Sequence, residues 1–375
     1  MRFRVEHELF ARAVARAARV APERPDGPSR GGLRIEAANG RVRICAGDHE
    51  VSVSAELRAE TPEHGLALVP GHRFAQVVGA LAAPHLQVEL AGGRLELCAG
   101  AARFCLLTLP PRDCPELPVL PPVTGTADAG ELRRAVGQVV AAASRERTAP
   151  VLGGVRLEIA ADRLTLAALD RYRCAVRTLE WRPEWAAPTT VALAPARALA
   201  EAVDALPAEH RIGLVLTERG GDRLLGLRCP SGRATVRLLT GEIPRYDSLF
   251  PAEFASVAVA EREPLTRALR RVALVTESRS PVRLGVSAGS IRLDGGSVAE
   301  DIACEPVEAK LDGPAIEIAF DPRLLLDGLT AITEPVVELA LTTATGKAVL
   351  RGRADLDAEP DDAFRYLLMP VRLSS

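Results

Sequence analysis

The strongest constraint on this chain is that the same pattern is written in it three times. The segments "FARAVARAA" from Phe10, "LRRAVGQVV" from Leu132 and "LTRALRRVA" from Leu265 each begin with a large apolar residue. Each carries another apolar residue four positions on (Val14, Val136, Leu269) and an arginine two positions after the start (Arg12, Arg134, Arg267). Those arginines stand 122 and 133 residues apart. Self-similarity at a fixed period marks repeated structural units, and it has to be settled before the fold is argued.

The segments that follow keep the same register. "GGLRIEAANGRVRICAGDHEVSVSAEL" from Gly31, "GGVRLEIAADRLTLAALDRYRCAVRTL" from Gly153 and "SPVRLGVSAGSIRLDGGSVAEDIACEPV" from Ser280 alternate apolar and polar residues around a small-residue turn. That pattern predicts antiparallel hairpin strands. A second helix then recurs in "PGHRFAQVVGAL" from Pro70, "PARALAEAVDAL" from Pro195 and "DPRLLLDGLTAI" from Asp321. Proline is tolerated in a first helical turn, where its missing N–H would have no partner anyway. Each unit closes on strands: "FCLLTLP" after Arg103, "TVRLLTGEIP" after Ala234 and "YLLMPVRL" after Arg365. The apolar C-terminal run is therefore the third copy of a strand position.

Proline-rich joints at Leu117–Thr126 and Ser248–Ser256 read as extended linkers. The expected domains are 1–121, 122–252 and 253–375, each of ordinary domain size. Strand, helix and strands occur twice in each, so each is a duplicated half with two helices on an antiparallel sheet, and the class is α+β.

On a helical wheel Phe10, Val14 and Ala17 oppose Arg12, Arg16 and Arg19. In the second copy Leu132, Val136 and Val139 oppose Arg134, Gln138 and Arg145; in the third Leu265, Leu269 and Val272 oppose Arg267 and Arg271. One charged stripe is an ordinary solvated face. The same polarity in three first helices, with His72, Arg73, Arg197 and Arg323 on the second helices, describes a basic surface spread over every repeat. The net charge of −2 rules out bulk attraction to nucleic acid, so any such binding rests on that local surface. Aromatic residues are only 3% of the chain, too few for base-stacking platforms, which favours a double-stranded backbone bound without reading sequence.

Catalytic chemistry is hard to find. The six histidines, His7, His49, His64, His72, His85 and His210, have no metal-ligand spacing, and no phosphate-loop, dinucleotide or nucleophile-elbow motif occurs. Asp48 and Asp170 occupy matching positions after a strand, which suits turn residues better than a carboxylate pair. Cys114 has no histidine near it in sequence, and the seven cysteines contain no C-x-x-C pair. Scattered thiols, no apolar run long enough for a membrane span and no signal-peptide core lead to the expectation of a cytoplasmic protein with no cofactor and no metal.

Taken in order, "GDHEVSV", "ARFCLLTLPPRDCPELP", "APVLGGVRLE", "LDRYRCAV", "GEIPRYDSLFP" and "YLLMPVRL" resemble the bacterial DNA polymerase III beta subunit, the sliding-clamp family, over essentially the full length. The resemblance implies the DNA clamp fold in a head-to-tail homodimeric ring. Such a ring is threaded on duplex DNA, has no catalytic activity of its own, and binds the polymerase III alpha subunit, the clamp loader and other motif-bearing replication or repair proteins. It implies a partner-peptide pocket built from Leu152, Leu169, Arg171, Tyr172, Arg173 and Cys174, from Pro244, Leu249 and Leu324, and from Met369, Pro370, Val371, Arg372 and Leu373. It adds Arg24, Arg145 and Arg147 to Arg12, Arg73, Arg134, Arg197, Arg267 and Arg271 as DNA-facing residues. It places Arg103, Phe104, Leu274, Glu300 and Asp301 at the dimer interface. Where the family usually has Thr-Asp this chain has Leu169-Asp170, it has Cys174 where the family usually has leucine, and "DGPSRGG" replaces the family's P-x-L run. These departures raise an alternative: a diverged second copy from an actinobacterium-like source, serving repair or resistance to a pocket-binding inhibitor.

Overall fold

The computed structural model describes residues 1–21, 32–110, 117–146, 149–186, 188–207, 209–219, 221–241, 245–276, 280–296 and 301–372. The chain packs as two compact units. The first holds Met1–Arg133, Glu180–Pro188 and Ala194–Leu239; the second holds Arg134–Leu179, Thr189–Leu193 and Thr240–Ser375. The middle repeat contributes to both.

The first unit has two sheets. One is five-stranded, in the order β5 (Glu60–Glu63), β1 (Arg2–Glu6), β7 (His85–Ala91), β8 (Arg94–Ala99), β9 (Ala102–Leu107). The other has nine strands, in the order β14 (Arg182–Pro183), β10 (Gly125–Asp128), β16 (Arg211–Arg219), β17 (Asp222–Cys229), β18 (Gly232–Arg237), β4 (Val51–Arg58), β3 (Arg41–Gly47), β2 (Gly32–Ala38), β6 (Gly65–Pro70). The nine-stranded sheet runs across a repeat boundary, because β18 pairs antiparallel with β4. The turn between β2 and β3 holds Asn39 and Gly40 at positive φ, which the residue types permit. Helices α1 (His7–Val20), α2 (Gly71–Ala80) and α4 (Ala196–Ala205) cover one face, with α1 on β3 and β4, and α4 on β4 and β18. Phe3, Phe10 and Phe74 are buried in edge-to-face contacts at the centre of this packing.

The second unit is built on one sheet of twelve strands. The order is β15 (Thr190–Pro195), β11 (Gly154–Ala160), β12 (Arg163–Leu169), β13 (Arg173–Glu180), β26 (Pro360–Leu368), β25 (Ala348–Arg353), β24 (Val336–Leu341), β19 (Ser256–Glu261), β22 (Ala303–Asp312), β21 (Gly289–Gly295), β20 (Val282–Ser287), β23 (Ile316–Phe320). Here β26 crosses to β13 as β18 crosses to β4. Helices α5 (Arg262–Val272) and α6 (Pro322–Ala331) pack together, and Asp321 caps α6 through Arg323 N at 2.8 Å. Helix α3 (Ala129–Val140) carries the chain from one unit to the next.

One sequence reading needs correction. Gln138, expected on the solvated face of its helix, is buried, and its Nε2 donates to Ala331 O at 2.8 Å. The wheel of a single helix cannot register a second helix arriving on its polar side.

Candidate functional site

In the second unit an apolar recess forms where β13 and β26 meet. Ala167, Cys174, Val176, Tyr246 and Leu367 make its buried floor, and Leu169, Leu249, Phe250 and Met369 pack half-exposed against it. The turn before β13 is set by Asp170, whose carboxylate accepts from Tyr172 N at 2.8 Å and Arg173 N at 3.0 Å. Asp48 does the same for Glu50 N and Val51 N in the first repeat, both at 2.8 Å, so the turn role read from the matching positions is what the structure has.

Arg173 is the anchor beneath the recess. It is 7% exposed, and its guanidinium donates to Asp170 at 3.1 Å, Asp327 at 2.5 Å and the Tyr366 hydroxyl at 3.3 Å. Burial works against its charge, but Tyr366, Asp327 and Asp170 outweigh it and hold its pKa above the ordinary arginine value. Tyr366 in turn donates to Leu324 O at 2.9 Å, tying β26 to α6. Burial pushes the Cys174 thiol up to about 12 and the Tyr246 phenol up to about 12, so both stay neutral at physiological pH. Cys174 therefore serves as an apolar floor residue and not a nucleophile.

The rim is held by the backbone. Met369 N donates to Tyr172 O at 2.7 Å, and Val371 N to Ala319 O at 2.8 Å. Lys347 Nζ donates to Leu249 O at 2.7 Å, and Arg365 lies 4.7 Å over the Phe250 ring. Leu152 and Leu169 line a narrow crevice with Val151, Ala168 and Leu193. Tyr172 and Val371 are exposed large apolar residues, Pro370 is half-buried and Arg372 exposed. Arg171 is exposed and pairs with Glu146 at 3.7 Å. Pro244 and Leu373 lie outside the described residues. The sequence reading missed Tyr246, Phe250, Leu367 and Asp327. Phe250 sits in the proline-rich joint and Tyr246 two residues before it, where their size was the available signal.

The arginines expected to face DNA are exposed, but several carry a carboxylate. Arg12 pairs with Glu8, Arg197 with Glu201 at 2.7 Å, and Arg267 with Glu263 at 3.8 Å. Arg271 is bonded to Glu305 on β22. Arg73, Arg134 and Arg145 are exposed, and Arg24 and Arg147 lie outside the described residues. Arg16 is drawn into the α1–α4 packing, where burial, then Arg133, lowers its pKa. Of the residues expected at a dimer interface, Phe104 is 41% and Leu274 83% exposed. Arg103 and Asp301 are also exposed, and Glu300 lies outside the described residues. Among the described residues no cluster of three or more His, Cys, Asp or Glu side chains could hold a metal ion, and no helix is long and apolar enough to cross a membrane.

Models of the DNA polymerase III beta subunit match the chain in three consecutive stretches: the N-terminal domain over residues 1–118, the central domain over 126–245 and the C-terminal domain over 247–372. The chain is 45% identical over 375 residues to the beta sliding clamp of Streptomyces coelicolor, covering all of both proteins. The chain belongs to the DNA polymerase III beta subunit family of sliding clamps. It is also 37% identical over 372 residues to the beta sliding clamp homolog GriR of Streptomyces muensis, covering 99% of each chain. The three-domain clamp fold agrees with solved clamps: Thermotoga maritima DNA polymerase III beta subunit superimposes with TM-score 0.86 at 24% identity. The Pseudomonas aeruginosa clamp solved with bound griselimycin superimposes with TM-score 0.87 at 22% identity. Both comparisons cover the whole of each chain.

Proposed function

We propose that this clamp works as a head-to-tail homodimeric ring around duplex DNA, with domains 1–121, 122–252 and 253–375. On this reading it is a cytoplasmic processivity factor without catalysis of its own. The Cys174–Met369 recess takes linear motifs of the polymerase III alpha subunit, the clamp loader and repair proteins in a peptide-in-groove mode.

One observation carries the ring. At the first repeat junction Arg233, Ala234 and Thr235 pair with Ser54, Val53 and Ser52. At the second, Arg365, Tyr366 and Leu367 pair with Val176, Ala175 and Cys174, the same positions of the repeat. The third copy of this pairing has no partner among the described residues. β9 ends its sheet, and β22 pairs with β19 only from Ala309 onward, which leaves its first half open on that side. Counting along the repeats, Arg103 would lie opposite Cys304 of the partner subunit, Phe104 opposite Ala303 of the partner subunit and Cys105 opposite Ile302 of the partner subunit. Beside the open edge a groove of about 790 Å³, lined by Pro264, Arg267 and Arg271 of α5 and by β22, is the counterpart of the place that α4 fills against α1 and β4. A heterologous contact of this kind builds a closed ring when its rotation closes.

Sedimentation velocity tests the proposal, with a dimer expected at micromolar concentration. Retention on nicked circular DNA after loading, lost when the circle is linearised, is the second expected result. A monomer, or equal retention on linear DNA, would overturn it.

A second reading, a diverged paralogue acting in repair or in resistance to a pocket-binding inhibitor, is favoured by the Leu169 and Cys174 departures and by the similarity to GriR. Affinities of this chain and of a housekeeping clamp for one polymerase motif peptide test it. Equal values remove it.

A further inference from the structure

The recess at the second junction has a counterpart at the first, and the two differ in chemistry. On the outer face of the twelve-stranded sheet Arg351 lies opposite Arg365, Arg365 opposite Val176, and Arg156 opposite Ala167. The same row on the nine-stranded sheet reads Arg228 opposite Arg233, Arg233 opposite Ser54, Ser54 opposite Cys45, and Cys45 opposite Arg34. Arg351, Arg365 and Arg156 thus correspond to Arg228, Arg233 and Arg34, and an apolar floor corresponds to a hydroxyl and thiol floor.

In the second unit each arginine of the row is satisfied. Arg351 bonds buried Glu338 at 2.5 Å and Asp362 at 2.8 Å, Arg365 stacks on Phe250, and Arg156 bonds Glu158 at 2.8 Å. In the first unit they are not. The Arg233 guanidinium has no hydrogen-bond or ion-pair partner among the described residues, and that of Arg228 reaches only Leu120 O, at 3.4 Å. Arg34 bonds Glu36 at 3.4 Å through one terminal nitrogen, while its buried Nε has no partner. The acid is missing because Gly213 stands where the second unit has Glu338. Like charges directly opposite each other on a β-ladder repel, and among the described residues no carboxylate bonds either guanidinium.

Between them lies a recess of about 260 Å³ lined by Arg43, Arg228, Arg233, Ser54, Glu56 and the turn Pro230–Gly232. Glu56 is held by Arg41 at 2.8 Å and Arg43 at 3.4 Å, so it does not neutralise the arginines across from it. Ser54 is buried and accepts from the Cys45 thiol at 3.6 Å, which leaves its own proton to donate. Cys45 stands between Arg34 on β2 and Ser54 on β4, and Ser54 in turn stands opposite Arg233, so the register brings Arg34 and Arg233 to the two ends of this short row.

We propose that this recess binds a phosphoryl group, held by the forks of Arg228 and Arg233 and by the Ser54 hydroxyl. The guanidinium fork matches a tetrahedral oxyanion bidentately. The volume suits one phosphoryl group with a sugar and is too small for several residues of an acidic peptide. The group comes either from a free nucleotide or from the 5′ end of a nucleic acid strand.

Calorimetric titration of the full chain at fixed ionic strength tests this, using inorganic phosphate, a nucleoside 5′-monophosphate, and a short oligonucleotide with and without its 5′-phosphate. Saturable binding at one site per chain is expected, with Arg228→Gln and Arg233→Gln each weakening it about tenfold. A tighter mononucleotide points to a free nucleotide, and a tighter 5′-phosphorylated strand to a strand end. Since Arg228 and Arg233 repel, neither variant should melt lower than the parent in phosphate-free buffer, which separates lost binding from lost folding. Unchanged binding in both variants, tighter binding of a glutamate-rich peptide, or no saturable phosphate binding by the parent would overturn the proposal.

Discussion

Gly328 sits inside α6, where alanine is the better helix former by about 1 kcal/mol. Propensity alone therefore predicts that Gly328→Ala stabilises the clamp. The structure predicts the opposite. A Cβ at this position would lie 2.6 Å from Cε1 and 2.7 Å from Cδ1 of Tyr366, closer than carbon atoms approach. The ring cannot retreat, because Tyr366 is fully buried and its hydroxyl is bonded to Leu324 O at 2.9 Å and Arg173 at 3.3 Å. Overpacking costs about 1–3 kcal/mol, and displacing a hydroxyl from a charged donor costs about 1.5–3 kcal/mol more. Against the helical gain the net loss is about 1.5–5 kcal/mol. Urea unfolding followed by circular dichroism measures it as a lowered midpoint at unchanged slope. Because Arg173 and Tyr366 support the wall on which Met369 sits, the variant should also bind a polymerase motif peptide more weakly. In a Tyr366→Phe background, where the ring has lost its tether, Gly328→Ala should cost at least about 0.5 kcal/mol less. A midpoint equal to or above the parent's would refute the reasoning, since it would mean that the ring yields without cost.

Freeing Arg197 by Glu201→Gln should steepen the dependence of log DNA affinity on log salt by up to about 0.9 if that arginine meets a phosphate; an unchanged slope in a filter-binding series would remove Arg197 from the DNA face. Burial raises the Cys174 pKa from 9.0 to about 12, so the folded state favours the neutral thiol. That contribution is complete below the unfolded value and lost as pH rises through the folded one, so Cys174→Ala should lose less stability than the parent between these two values in denaturant melts, and equal losses would contradict the assignment. Phe104→Arg places a charge at the open edge of β9 and should weaken the dimer by about thirtyfold or more in sedimentation equilibrium; an unchanged dissociation constant would move the seam elsewhere.

The repeat made the hairpins, the paired helices and the turn roles of Asp48 and Asp170 legible, because each depends on residues within one copy. The glutamates beside Arg12, Arg197 and Arg267 were also legible, being four residues away on the same helix. What the sequence could not reveal depends on a neighbouring copy. Arg16, Gln138 and Arg271 occupy one position of the repeat, and a wheel places all three on the polar face. In the first copy that position is drawn into the packing of α1 against α4; in the second it donates to the last residue of α6. In the third copy the arginine lies along a vacant groove and turns to Glu305. A position that twice joins one repeat to the second helix of the next, and in the third copy meets no helix among the described residues, is what the proposed ring expects where the last junction is made by another molecule. On the ring proposed above, Arg271 would belong as much to the seam as to the DNA face. Arg271→Ala should weaken the dimer more than it weakens DNA binding by the assembled ring, and the reverse order would return the residue to the DNA surface.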